Sequence, residues 1–157
     1  MNSNKDTATN VVYRQAQDGD IPAIVAMLAD DELGRAREDP GNLGIYSRAF
    51  DRMKAEANNR LFVAEQKGRV VGCFQITFIQ GLSRKGVRRA LIEGVRTRSD
   101  ARGHGIGEGM MRHAIVLARE NGCGIAQLTS DKTRVRAHEF YKRLGFVQSS
   151  EGFKLNL

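Results

Sequence analysis

The chain has 157 residues, a length that makes one domain whose core needs neither a disulfide nor a metal to hold it. Its 25 Lys and Arg against 18 Asp and Glu give a net charge of +7, which suits an anionic partner without choosing between nucleic acid and a phosphorylated small ligand. Two isolated cysteines, Cys73 and Cys123, exclude a disulfide scaffold, and no apolar run is long enough to span a membrane, so reduced thiols and a cytoplasmic setting are expected.

Met1–Asn10 reads as a loose tail, with residues 11–157 as a single domain. Val11–Gln17 has strand character, and Asp18-Gly19-Asp20 turns into a helix with Asp20 as N-cap and Pro22 in its first turn. Ile21, Ala23, Ile24, Met27 and Leu28 give that helix an apolar stripe as far as Asp30. Asp31–Leu43 reads as a loop, and Ile45–Asn58 as a second helix. Leu61–Gln66 and Val70–Ile79 are strands joined by a hairpin at Lys67-Gly68.

Gln80–Gly86 is a basic loop, and Arg88–Arg98 a long strand that runs into a glycine-dense turn. Gly105–Asn121 is the helix after it, ended by Gly122. Ala126–Thr129 is a short strand, Val135–Leu144 a helix with Ala137, Phe140, Tyr141 and Leu144 on one face, and Phe146–Gln148 and Phe153–Leu157 two last strands. This order describes one mixed-sheet α/β domain.

The turn Arg102-Gly103-His104-Gly105-Ile106-Gly107 carries the chemistry. Glycines at a strand-to-helix junction let successive backbone amides converge on an anion at the positive end of the helix dipole. No Lys-Ser or Lys-Thr follows, so this is not a Walker loop, and its late position does not suit a dinucleotide fingerprint. A tight connection with no ligand is the plain alternative; Arg102 directly before the glycines argues against it.

This turn resembles the acetyl-CoA signature of the GNAT superfamily of N-acetyltransferases, Gln/Arg-x-x-Gly-x-Gly/Ala, and follows a Val95-Arg96-Thr97 strand end as that signature does. Ala137-His138-Glu139-Phe140-Tyr141-Lys142-Arg143-Leu144-Gly145-Phe146 is similar to a second block of the family, Ala-x-x-Phe-Tyr-x-x-x-Gly-Phe. Together the two blocks extend the resemblance over about Val11–Leu157.

The resemblance implies a mixed, mostly antiparallel sheet flanked by about four helices, with strands splayed at the coenzyme. It implies that the amides of Gly103, His104, Gly105, Ile106 and Gly107, with Arg102, hold the pyrophosphate of acetyl-CoA, and that Val95, Arg96 and Thr97 line the pantetheine. The Val95 amide would polarise the thioester carbonyl. Basic residues of the preceding loop are candidates for the 3′-phosphate.

Tyr141 matches the family tyrosine that protonates the leaving thiolate; the alternative is one of two core aromatics beside Phe140. Glu93 stands where several members place a general base, the alternatives being a salt-bridged strand carboxylate or His104 as base. Arg134 occupies a position where the family often has a coenzyme-contacting asparagine. It either binds a phosphate or caps its helix.

His104, His113 and His138 have no ligand-like spacing, so no metal is expected. Asp30, Asp31, Glu32, Glu38 and Asp39 bring negative charge to the segment that forms the acceptor wall in the family, which implies a small cationic amine as acceptor, the alternative being solvated loop carboxylates. Homodimers are common in the family. The rival readings are a non-catalytic coenzyme-binding or regulatory module and a nucleic-acid-binding protein, the latter disfavoured by the lack of Trp and of interleaved basic and aromatic residues.

Overall fold

The computed structural model describes residues 10–157, so all of the expected N-terminal tail except Asn10 lies outside the described residues. Strand β1 (Val11–Gln15), helices α1 (Ile21–Leu28), α2 (Glu32–Arg37) and α3 (Leu43–Lys54), strands β2 (Asn59–Gln66) and β3 (Arg69–Gln80), the short turn α4 (Ser83–Gly86), strand β4 (Arg88–Thr97), helix α5 (Ile106–Glu120), strand β5 (Ile125–Leu128) and helix α6 (Val135–Arg143) follow in order. The chain divides into two compact units, one up to Gln127 and one from Leu128 onward.

In the first unit, β1, β2, β3 and β4 pair antiparallel with their sequence neighbours. β5 joins the far edge of β4, where the Gly124 amide donates to the Arg88 carbonyl at 2.8 Å. The β2–β3 hairpin turns at Lys67 and Gly68, both with positive φ, as a two-residue turn that matches strand twist requires.

Side-chain alternation then builds two faces. Val63 and Cys73, paired across β2 and β3, pack with Ile21, Ile24, Val25 and Met27 of α1 and Phe50 of α3. Their neighbours Phe62 and Phe74 stack on the opposite face, with centroids 5.2 Å apart, where both meet His113 of α5. Ile106, Met110, Met111, Ala114 and Ala118 form the buried stripe of α5. Each such large apolar side chain, taken fully out of water, contributes about 1.5–3 kcal/mol.

Several expectations are corrected. The segment read as a loop over 31–43 contains α2, and Leu43 already opens α3. Asp31 caps α2, its carboxylate accepting from the Gly34 amide at 2.6 Å, and Gly34 is buried so closely that a Cβ there would lie 2.0 Å from the Leu28 carbonyl oxygen. Six residues without an apolar period carry no helical signature, so the cap and this close approach make the helix. Asp20 stands at the start of α1 but does not cap it: its carboxylate turns back to the Gln17 amide and to the Arg14 guanidinium, each at 2.7 Å.

The second unit is α6 with its flanking chain. Tyr141 packs edge-on against Phe140 and Phe146, with centroids 5.2 and 6.0 Å away, and the Phe146 amide donates to the Tyr141 carbonyl at 3.0 Å. The strands expected at Phe146–Gln148 and Phe153–Leu157 are not formed, and Val147, Phe153, Leu155 and Leu157 are exposed. Alternation of apolar and polar residues defines two faces, but a strand exists only where a neighbouring strand takes its hydrogen bonds.

Candidate active site

The site grows from an irregularity in β4. Its register against β3 pairs Glu93 with Gln75 and Arg96 with Cys73, so Phe74 faces two residues, Gly94 and Val95. That is a β-bulge, and Gly94 adopts φ +59, a conformation costly for any residue with a Cβ. The buried Cys73 thiol donates to the Gly94 carbonyl at 3.5 Å, and burial pushes its pKa up to about 12, so it is a packing group rather than a nucleophile. A glycine inside a strand pattern is the sequence signal for such a bulge.

Two residues past the bulge the strand ends, and the chain enters a 3-10 turn at Ser99–Ala101. Arg102 follows, exposed, its Nε donating to the Thr97 carbonyl at 3.2 Å, while the Arg96 guanidinium reaches the Val95 carbonyl at 2.9 Å. Gly103 and Gly105 both have positive φ, and Gly105 is the N-cap of α5. The Gly109 amide donates to the Gly105 carbonyl at 3.0 Å as the helix begins. In such a helix start the amides of the first turn point out along the axis. The turn residues Gly103, His104 and Gly105 are exposed and Ile106 is buried beneath them, so the helix end is anchored while its mouth is open. The His104 ring Nδ1 lies 3.3 Å from the Ala101 carbonyl, which ties it to the turn.

α5 approaches the sheet closely enough to fix that mouth. Gly109 sits against β1, and a Cβ there would fall 1.9 Å from the Tyr13 hydroxyl. Tyr13 stacks on His113 with centroids 5.1 Å apart, and burial lowers the His113 pKa. The Tyr13 contact thus sets how near the N-terminal end of α5 stands to the sheet.

The basic residues do not all belong to it. Arg98 and Arg102 lie at the turn, but Arg84, Lys85, Arg88 and Arg89 stand at or before the start of β4, whose ten residues span about 30 Å. The basic loop therefore stands at the opposite end of β4 from the glycine turn. A strand separates in space what the sequence sets side by side.

Glu93 is exposed on β4 just before the bulge. The acidic segment is partly committed to holding its own shape: Asp31 caps α2, and Glu38 accepts from the Tyr46 hydroxyl at 2.8 Å. Asp30 pairs with Arg102, at 3.7 Å. In the second unit, partly buried Arg134 stands at the N-cap of α6 with no side-chain cap bond, its carbonyl accepting from the His138 amide at 3.1 Å. Among the described residues no group of three or more His, Cys, Asp or Glu is arranged for a metal, and no helix is long and apolar enough to cross a membrane.

The profile of the Acetyltransferase (GNAT) family matches residues 25–146, most of the chain. The chain belongs to the GNAT acetyltransferase family. It is 31% identical over 141 residues to streptothricin acetyltransferase of Streptomyces lavendulae, covering 88% of this chain and 70% of that one. Among solved structures it superposes on a transcriptional regulator from Bacillus halodurans C-125 with a TM-score of 0.89 and 47% identity, covering 94% of this chain and 99% of the other. A putative acetyltransferase from Agrobacterium tumefaciens C58 superposes with a TM-score of 0.82 and 27% identity, over 93% and 99% of the two chains. As a GNAT acetyltransferase the protein is an acyltransferase, and the family uses acetyl-CoA as acyl donor. An open helix end preceded by positive-φ glycines and an arginine fits the diphosphate of that donor.

Proposed function

We propose that this GNAT acetyltransferase moves an acetyl group from acetyl-CoA to a small cationic primary amine by direct attack, with no covalent enzyme intermediate. The observation that carries this reading is the succession along one chain of the β4 bulge, the positive-φ turn and the open N-terminus of α5. In this reading the amides of Gly103–Gly107 and Arg102 take the pyrophosphate, and β4 at Val95–Thr97 receives the pantetheine arm. β5 is short and joins β4 at its Arg88 end, which supports leaving the later half of β4 to that arm.

The chemistry follows from these roles. The amine nitrogen attacks the thioester carbonyl, whose developing oxyanion is met by the Val95 amide. Glu93 takes the proton lost by the amine, through water where needed. The carbon–sulfur bond then breaks, and Tyr141 gives its proton to the departing thiolate. In this reading Arg134 contacts the coenzyme in place of an asparagine.

A cationic acceptor is supported by the excess of carboxylates over Arg35 and Arg37 in residues 30–39 and by the similarity to streptothricin acetyltransferase. The test is release of free thiol from acetyl-CoA across streptothricin, polyamines, amino acids, aminoglycosides and peptides. Turnover with a cationic primary amine is expected; turnover only with neutral or anionic acceptors refutes the acceptor class. The 47% identical structure described as a transcriptional regulator favours a second reading, a regulatory module of the same fold. Coenzyme binding without thiol release on any acceptor, together with salt-sensitive DNA binding, would establish that reading instead.

A further inference from the structure

Asp30 Oδ2 lies 3.7 Å from a terminal guanidinium nitrogen of Arg102, which joins the end of α1 to the glycine turn. Both side chains are about half exposed, but other contacts fix the Arg102 guanidinium and the Asp30 backbone. Arg102 is held through its Nε by the Thr97 carbonyl at 3.2 Å. The Asp30 amide donates to the Met27 carbonyl at 3.3 Å, Gly34 presses on the Leu28 carbonyl, and the Leu28 side chain lies 3.7 Å from where a Cβ of Gly94 would stand. The same stretch of chain therefore touches the β4 bulge and the turn.

Resting on the reading of this turn as the pyrophosphate site, we propose that Asp30 is an internal competitor for Arg102, displaced when coenzyme binds. A diphosphate offers the planar guanidinium more charge and more acceptor oxygens than one carboxylate, so the exchange runs toward the coenzyme. The carboxylate released by the exchange belongs to the segment that leads into α2, where its charge is then no longer paired with Arg102. Asp30 acts here as a positioning residue through Arg102.

The pair is about half exposed, so its effect is small and measurable: removing the competitor tightens coenzyme binding about two- to fivefold. The test is isothermal titration of coenzyme A into the wild type, Asp30→Asn, Arg102→Gln and the double variant. Tightening in Asp30→Asn, weakening in Arg102→Gln and no effect of Asp30→Asn in the Arg102→Gln background are expected. A second readout is amide exchange over residues 30–38, which rises on coenzyme A addition to the wild type and is already raised in Asp30→Asn.

An unchanged affinity in Asp30→Asn overturns the proposal, and so does equal tightening in both backgrounds, because that would be general charge repulsion from the phosphates. A wild type that binds neither coenzyme A nor inorganic pyrophosphate overturns the reading of the turn itself, a failure separable from the other two.

Discussion

Gly109→Ala tests the frame that holds the helix end. The added methyl would stand 1.9 Å from the Tyr13 hydroxyl and 3.1 Å from Cζ, so the hydroxyl must retreat by about 1.5 Å to reach ordinary contact. Overpacking of this kind costs about 1–3 kcal/mol, against which the better helix propensity of alanine returns about 1 kcal/mol. The net expectation is a loss of up to about 2 kcal/mol by urea unfolding. Tyr13→Phe removes the oxygen, and in that background the same Gly109→Ala change becomes neutral or stabilising.

The double-mutant cycle should therefore show a coupling of at least about 1 kcal/mol. Tilting α5 also displaces the turn, so coenzyme A affinity measured by titration falls in Gly109→Ala and recovers in the double variant. Equal effects of Gly109→Ala in both backgrounds would refute the claim that Tyr13 and Gly109 set the distance between α5 and the sheet.

Further outcomes follow from the same structure. Tyr141→Phe lowers kcat by about 10²–10⁴-fold with coenzyme affinity kept, if the hydroxyl is the general acid; an unchanged kcat in steady-state thiol-release assays removes it from the mechanism. Asp31→Ala removes the cap on Gly34 and costs about 0.5–2 kcal/mol in denaturant unfolding, while Asp31→Asn keeps most of it.

His113 gives a pH dependence: its folded pKa is lowered by burial, so below the ordinary value of 6.5 the unfolded chain binds the proton first and stability falls. The urea midpoint should drop between pH 7 and 5.5 in the wild type, and less steeply in His113→Leu; parallel slopes would show that His113 does not titrate on unfolding.

The sequence by itself determined the elements that carry their own period and punctuation. The α1 and α5 stripes, the Lys67-Gly68 hairpin and the Arg102–Gly107 turn depend on residues within one or two turns of chain, and each was legible from those residues. Family membership was legible for the same reason, because both signature blocks are local.

Tertiary structure alone decided what depends on a neighbour. Helix α2 packs so close to the Leu28 carbonyl that only a glycine fits at position 34, the bulge at Gly94–Val95 arises because β3 sets the register, and α5 lies close because Tyr13 leaves room only for hydrogen at Gly109. The apolar alternation of Phe153–Leu157 was legible and still did not make a strand, since hydrogen bonds to a second strand are not written in the first. The basic loop and the glycine turn, close in sequence, stand at opposite ends of β4, and Asp30 and Arg102, distant in sequence, form an ion pair. Spacing along a chain fixes periodicity; only folding fixes which charges meet.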